Sequence, residues 1–324
     1  MSLVVFAQAA GQTDIEKFVN ALGSGLALGA IYAILALGFV IIFKATQVVN
    51  FAHGAVAALG AYFVVYFATI VNIPGRWMGG APVWTQWALS AFIAIVFTAL
   101  IGMIIERVTI RPMIGQPLFA VAMITLGLDL IIRSITGDLL DNTIRGLGDP
   151  WGAALYIVGP LRISYTQLIS LGVLTASVLL LIVFFRSRTG IAMRATAFDQ
   201  EAAMAQGISV GKVFSIAWAI GMAFAAIGGI FSSVAPRAAG VSPLTAFIAF
   251  RAFPVVIIGG LDSITGAIVG GLLVGLAEVF AGTYLGSVSW LGLGFSGIVP
   301  WLLMMLVLFV KPYGLFGTEE IRRV

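Results

Sequence analysis

Four charged residues stand inside otherwise apolar runs of this chain, and they are the first candidates for chemistry: Asp129, Arg133, Arg251 and Glu278. Asp129 precedes Arg133 by four positions, so on a helix the acid and the base share a face and can pair. Arg251 and Glu278 have no partner evident from spacing. Either they find each other across the fold or each faces a water-filled route, since charges in such surroundings are costly and mark pathways or internal pairs. Two uncharged candidates join them. Asn50 stands three residues before His53 at the mouth of an apolar run, where an Asn side chain accepts from first-turn N–H groups. That predicts either a capped helix end with an interfacial histidine beside it, or a polar lining for a route through the bundle.

Other chemistries are excluded by residue type. With one His and no Cys, there is no clustered-histidine metal site, no disulfide framework and no cysteine nucleophile. The single His lies in no hydrolase motif. The stretch Gly207-Ile-Ser-Val-Gly211-Lys212-Val213 superficially suggests a phosphate loop. It has one residue too few between its glycines, Val213 stands where Ser or Thr would bind magnesium, and no strand precedes it. The chain is therefore read as binding no ATP itself and as using no cofactor of its own.

The elements that must position these residues follow from composition. Of 324 residues, 61% are hydrophobic and 9% charged, whereas a soluble domain carries roughly 25% charged residues. A helical span needs about 20 mostly apolar residues, and the short alternating segments of a β-barrel are absent. The fold class is all-α, a polytopic helical membrane protein. Apolar runs lie near residues 18–43, 50–71, 85–105, 117–136, 166–185, 213–234, 264–283 and 288–310. A ninth segment, 244–262, is interrupted by Arg251, Pro254 and Gly259-Gly260 and is read as broken or re-entrant. Met1–Ala10 has no basic start and too short an apolar core for a signal peptide, which predicts an untethered tail.

Basic residues in short loops set orientation. Lys44, Arg107 and Arg111, the Arg186–Lys212 connector and the tail with Lys311, Arg322 and Arg323 are placed inside. Connectors 72–84 and 137–165 then lie outside, with Trp77, Trp84 and Trp151 at the interface. From residue 212 to an inside C-terminus the number of crossings must be even, so 244–262 has to serve as a crossing. The prediction is N-terminus out, C-terminus in. The net charge of +4 follows from these juxtamembrane residues and implies a lipid bilayer, not nucleic acid, as partner. Small residues recur at four-residue spacing in Gly25/Gly29, Gly266/Gly270, Gly271/Gly275 and Ala225/Gly229. Such pairs let helix backbones approach closely, either within the chain or against a second subunit.

The longest polar connector, 186–212, is ordered by its own sequence. Thr196-Ala-Phe-Asp199 fits a capping box, Glu201-Ala-Ala-Met-Ala205 are mostly strong helix formers, and Gly207 suits a left-handed helix stop. The expected helix has about ten residues, with Phe198, Ala202 and Ala205 on one apolar face. It can fill a groove on a soluble protein or lie on lipid.

Glu201-Ala202-Ala203 with Gly207 is the E-A-A-x-x-x-G pattern, which resembles the coupling loop of binding-protein-dependent ABC importer permeases. The Ile and Leu-Pro that usually follow are missing. More specific are Gly25-Leu-Ala-Leu-Gly-Ala-Ile-Tyr-Ala-Ile-Leu-Ala-Leu-Gly38, Val49-Asn-Phe-Ala-His-Gly54, Glu106-Arg-Val-Thr-Ile-Arg-Pro112, Thr189-Gly-Ile-Ala-Met-Arg194, and Val256 through Gly271. Together these blocks resemble the branched-chain amino acid permeases of the LivH type. The resemblance implies one permease domain over 1–324, with Arg194, Asp199, Glu201, Ala202, Ala203 and Gly207 coupling it to an ATPase. Asn50, His53 and Glu278 are the candidate residues of a substrate pathway. Implied partners are a second homologous permease subunit, two cytoplasmic ATPase subunits holding ATP and magnesium, and a periplasmic amino-acid-binding protein, all at the cell inner membrane.

Two rivals remain open on sequence. The same architecture can serve urea, short amides or a sugar, which the ligand of the cognate binding protein would decide. An ion-coupled secondary transporter would need paired carboxylates at mid-membrane, where Glu278 is the only acid clearly placed.

Overall fold

The computed structural model describes residues 13–113, 115–159, 161–288, 291–292 and 294–318. The expected tail Met1–Ala10 lies outside them. Among the described residues, besides a one-turn helix at Ile73–Trp77, eleven helices carry the architecture: α1 Asp14–Thr46, α2 His53–Val65, α3 Val83–Ile105, α4 Leu118–Leu139, α5 Tyr165–Arg186, α6 Arg188–Phe198, α7 Gln200–Ala205, α8 Val210–Ser232, α9 Ile248–Gly259, α10 Ile264–Leu285 and α11 Phe295–Val310. Seven helical stretches are long and apolar enough to cross a membrane, and two shorter apolar helices, Pro243–Gly259 and Phe295–Val310, accompany them. Within the run expected at 288–310 the helix described is Phe295–Val310, and residues 289, 290 and 293 lie outside the described residues. A hairpin of strands β1 Leu155–Val158 and β2 Leu161–Ser164 lies in the 137–165 connector, an element that the apolar runs do not predict.

Contacts between helix ends fix the path of the chain. At one end Asn20 accepts from the Arg162 amide, Gln167 donates to Ser24, and Trp87 donates to the Leu147 carbonyl. At the other end Lys44 donates to the Asp262 carbonyl, Arg111 to the Gly211 carbonyl, and the Leu315 amide to Ile258. Successive helices α1, α2, α3, α4, α5, α8, α9, α10 and α11 alternate between these ends. Segment 244–262 makes its pass with a 3-10 turn, Pro243–Phe247, leading into α9, which contains Pro254. The Val241–Arg145 bridge ties its start to the first end. This is the crossing that the charge arithmetic requires. Every basic residue assigned to the inside, where described, lies toward the second end.

α1 is the central strut, buried along most of its length. The residues that make this possible are small. A methyl group added at Gly29 would stand 2.7 Å from the Leu272 Cα and 2.9 Å from the Gly271 carbonyl, and one at Gly271 would stand 2.6 Å from the Ala33 nitrogen. Gly275 in turn is pressed against the Gly29 backbone. Two of the small-residue pairs noted in the sequence therefore face each other inside one chain. In lipid, where apolar burial supplies no drive between helices, such contact is a main source of cohesion.

Candidate functional site

The connector forms a groove. α6 is capped by Ser187, whose hydroxyl accepts from the Gly190 amide, and runs from Arg188 to Phe198. Asp199 then adopts an extended backbone and caps α7 by accepting from the Ala202 amide at 2.9 Å. The single helix expected from a Thr196 capping box is therefore two helices. Thr196 is buried inside α6, where its hydroxyl donates to the Ala192 carbonyl. The cause is Asp199 itself, whose short carboxylate competes for backbone donors and starts a new helix in place of extending the old one.

α7 ends as expected. Gly207 has φ +81°, its amide donates to Met204, and the Ile208 amide donates to Ala203. These are the two hydrogen bonds of the Schellman stop. Between α6 and α7 lies an open groove of about 460 Å³, lined by Ile191, Arg194, Phe198, Asp199, Ala202 and Ala203 among others. Of the six residues assigned to coupling, four line this groove: Arg194, Asp199, Ala202 and Ala203. Glu201 is exposed on α7 beside it and Gly207 terminates it. Phe198 stands 95% exposed at its edge. The apolar face expected from Phe198, Ala202 and Ala205 is broken by the turn at Asp199, and Ala205 is not part of the lining.

A latch ties this region to the core. The end of α3 widens into a π-turn, Glu106–Ile110. Glu106, fully buried, accepts from Arg111 Nε at 3.0 Å and Nη2 at 2.9 Å, and from Ser215 Oγ at 2.6 Å. Arg111 Nη2 also reaches the Gly211 carbonyl at 2.8 Å. The chain from Gly207 into α8 is thereby fastened to α3. Sequence reading missed this group because positions five apart do not face each other on an α-helix; the π-turn brings them together.

Within the bundle, the polar candidates separate into buried structure and one partly open cluster. Asn50 and His53 are buried, not interfacial. α2 starts at His53 with Ala52 at its cap position and no side-chain cap. Asn50 Oδ1 accepts from the Ala52 amide at 3.1 Å, closing a turn just before the helix. The expected Asn cap fails because the chain enters α2 through this turn, held by Thr125, which accepts from the Phe51 amide. The His53 ring lies on Phe39 at 4.1 Å between centroids, over the space left by Gly38. Asp129 and Arg133 pair as spacing predicted, and Arg133 also lies over the Phe247 ring at 4.4 Å.

Arg251 and Glu278 do find each other: Arg251 Nη1 donates to Glu278 Oε1 at 2.9 Å, while Tyr32 Oη donates to Oε2 at 2.7 Å. Tyr32 is the member that sequence reading did not single out. The signal for it was weak, a lone phenol inside an apolar run, where a buried hydroxyl needs a partner.

Helices alternating between two ends, with small-residue seams and ion pairs held inside apolar segments, define a multi-pass helical membrane protein. Residues 21–308 match the family described as branched-chain amino acid transport system, permease component. The chain belongs to this family. It is 30% identical over 321 residues to the high-affinity branched-chain amino acid transport system permease protein LivH of Salmonella typhimurium strain LT2, covering 95% of this chain and 98% of the relative. It is likewise 30% identical to BraD of Pseudomonas aeruginosa, covering 96% and 99%, and 27% identical to a probable LivH permease of Methanocaldococcus jannaschii, covering 88% of each. Among solved structures, PsaBC from Streptococcus pneumoniae in complex with Fab is similar with a TM-score of 0.44 at 15% identity, covering 96% of this chain and 97% of that one.

Proposed function

We propose that this chain is the permease subunit of a binding-protein-dependent ABC importer, and that it moves branched-chain or related amino acids by ATP-driven alternating access. The carrying observation is the α6–α7 groove, which gathers Arg194, Asp199, Ala202 and Ala203 on the basic end of the bundle. By the positive-inside rule that end faces the cytoplasm. The exposed Phe198 and the small Ala202 offer one apolar projection and one apolar recess to an ATPase. ATP and magnesium belong to two such partners. A second permease and a periplasmic binding protein complete the importer at the inner membrane, and residues 1–324 act as one permease domain.

Motion of the docked ATPase enters through α7, passes the Gly207 stop and reaches α3 and α8 through the Glu106 latch. Co-expression with the candidate ATPases tests the reading. Ala202→Trp fills the recess and should lower the recovered ATPase by about tenfold or more, the scale of an interface hot spot. Glu201→Ala should weaken recovery less, and membrane insertion should not change. Full ATPase recovery and full leucine uptake with Ala202→Trp would sink the coupling role.

A further inference from the structure

The Tyr32–Glu278–Arg251 cluster is placed where a passing solute can meet it. Glu278 lies seven residues from the end of α10, about 10 Å below the outer end of the helix at 1.5 Å per residue. Its carboxylate is enclosed, with the side chain 8% exposed, but its partner Arg251 is 47% exposed. An arginine side chain that is half exposed at this depth requires water or a polar partner in front of its charged head. Over the Tyr32 ring, the Arg237 guanidinium lies 6.0 Å from the centroid, and it has no acidic partner among the described residues.

Charge and geometry then agree. Two guanidinium groups and one carboxylate leave a single excess positive charge, which one further carboxylate would neutralise. Nη1 of Arg251 is committed to Glu278, and the Tyr32 phenol lies beside the same guanidinium. The remaining edge of its planar fork is a donor pair of the kind that takes a carboxylate by two parallel hydrogen bonds. Tyr32 and Arg251 hold Glu278 from both oxygens, so Arg251 is presented in a fixed orientation and not left to swing. Resting on the transport reading above, we infer that Arg251 is the solute-facing group of the pathway and receives the carboxylate end of a small amino acid in transit, with Glu278 and Tyr32 as its positioning residues.

The test uses the assembled importer in proteoliposomes, with binding protein and leucine. Arg251→Gln alone would leave Glu278 buried and unpaired, so the pair is removed together as Arg251→Gln with Glu278→Gln, which strands no charge. This double variant should assemble with its ATPases and keep binding-protein-stimulated ATP hydrolysis. Leucine uptake should fall about tenfold, as expected for losing a hydrogen bond to a charged group. Arg251→Lys should retain an intermediate rate. Wild-type uptake by the double variant would overturn the assignment while leaving the importer reading intact; absence of ATPases or of leucine uptake with the wild-type chain would instead overturn that reading.

A second measurement leaves the cluster untouched. A methyl group added at Gly297 meets Arg251 Nη2 at an ordinary 3.7 Å, so Gly297→Cys fits in this Cys-free chain. The thiol should react with a membrane-impermeant reagent in the assembled complex, and leucine-loaded binding protein with ATP should slow that reaction. A thiol that reacts in the isolated chain but not in the complex would place Arg251 at a subunit seam and refute the proposal.

Discussion

Ser215 Oγ donates to Glu106 Oε2 at 2.6 Å, joining positions 109 residues apart at the place where the connector enters α8. Because Glu106 is fully buried and serves three donors, its loss does more than delete one bond. Arg111 is left with a half-buried charge and only the Gly211 carbonyl and Ser215 as partners.

Glu106→Ala should destabilise the protein by about 1–3 kcal/mol, the range for breaking a partly exposed charge pair and stranding its partner. Ser215→Ala, which removes one donor, should cost about 1 kcal/mol. Thermal unfolding in detergent checks both. The latch also predicts uncoupling: in Glu106→Ala complexes that still retain the ATPase, hydrolysis should persist while solute uptake drops. Uptake and hydrolysis that fall in the same proportion would argue against transmission through this contact.

The seam between α1 and α10 gives a prediction with its own control. A methyl group at Gly275 runs into the Gly29 backbone, whereas one at Gly172 on α5 meets nothing within 4 Å. Gly275→Ala must push two helices apart and should cost about 1–3 kcal/mol as overpacking. Gly172→Ala should be neutral or stabilising by about 0.5–1 kcal/mol, since it relieves the entropy cost of a mid-helix Gly. Thermal unfolding temperatures that fall equally for the two variants would mean that the close approach is not what holds the seam.

What the sequence revealed and what it concealed divide along physical lines. Long apolar runs, the broken character of 244–262 and the Asp129–Arg133 pair were legible because each depends on local composition or on a fixed helical period. The Gly207 stop was legible because few residues tolerate its backbone. The Thr196 cap was misread because Thr196, Asp199 and Ser187 all have cap-forming side chains, and only the tertiary path selects Ser187 and Asp199. The 155–164 hairpin was hidden among turn residues and aromatics. The clusters around Glu106 and Glu278 depend on contacts between helices distant in sequence, and in the first case also on a π-turn, which spacing rules for α-helices do not anticipate.

His53 poses the sharpest remaining question of the bundle. Its ring is fully buried against Phe39 and Gly38, and neither ring nitrogen makes a hydrogen bond of normal geometry. Burying polar atoms without a well-formed hydrogen bond costs free energy. A residue of similar size without nitrogens removes that cost. His53→Leu should therefore leave thermal stability unchanged or raise it by about 1–2 kcal/mol. If the imidazole finds its partners only when the helices re-pack, the same substitution deepens this one state, and leucine uptake should slow while the unfolding temperature rises. Unfolding and uptake are measured on the same preparation. A variant that is less stable than wild type would show that the ring nitrogens are satisfied here after all. A variant that is more stable but transports normally would remove His53 from the pathway.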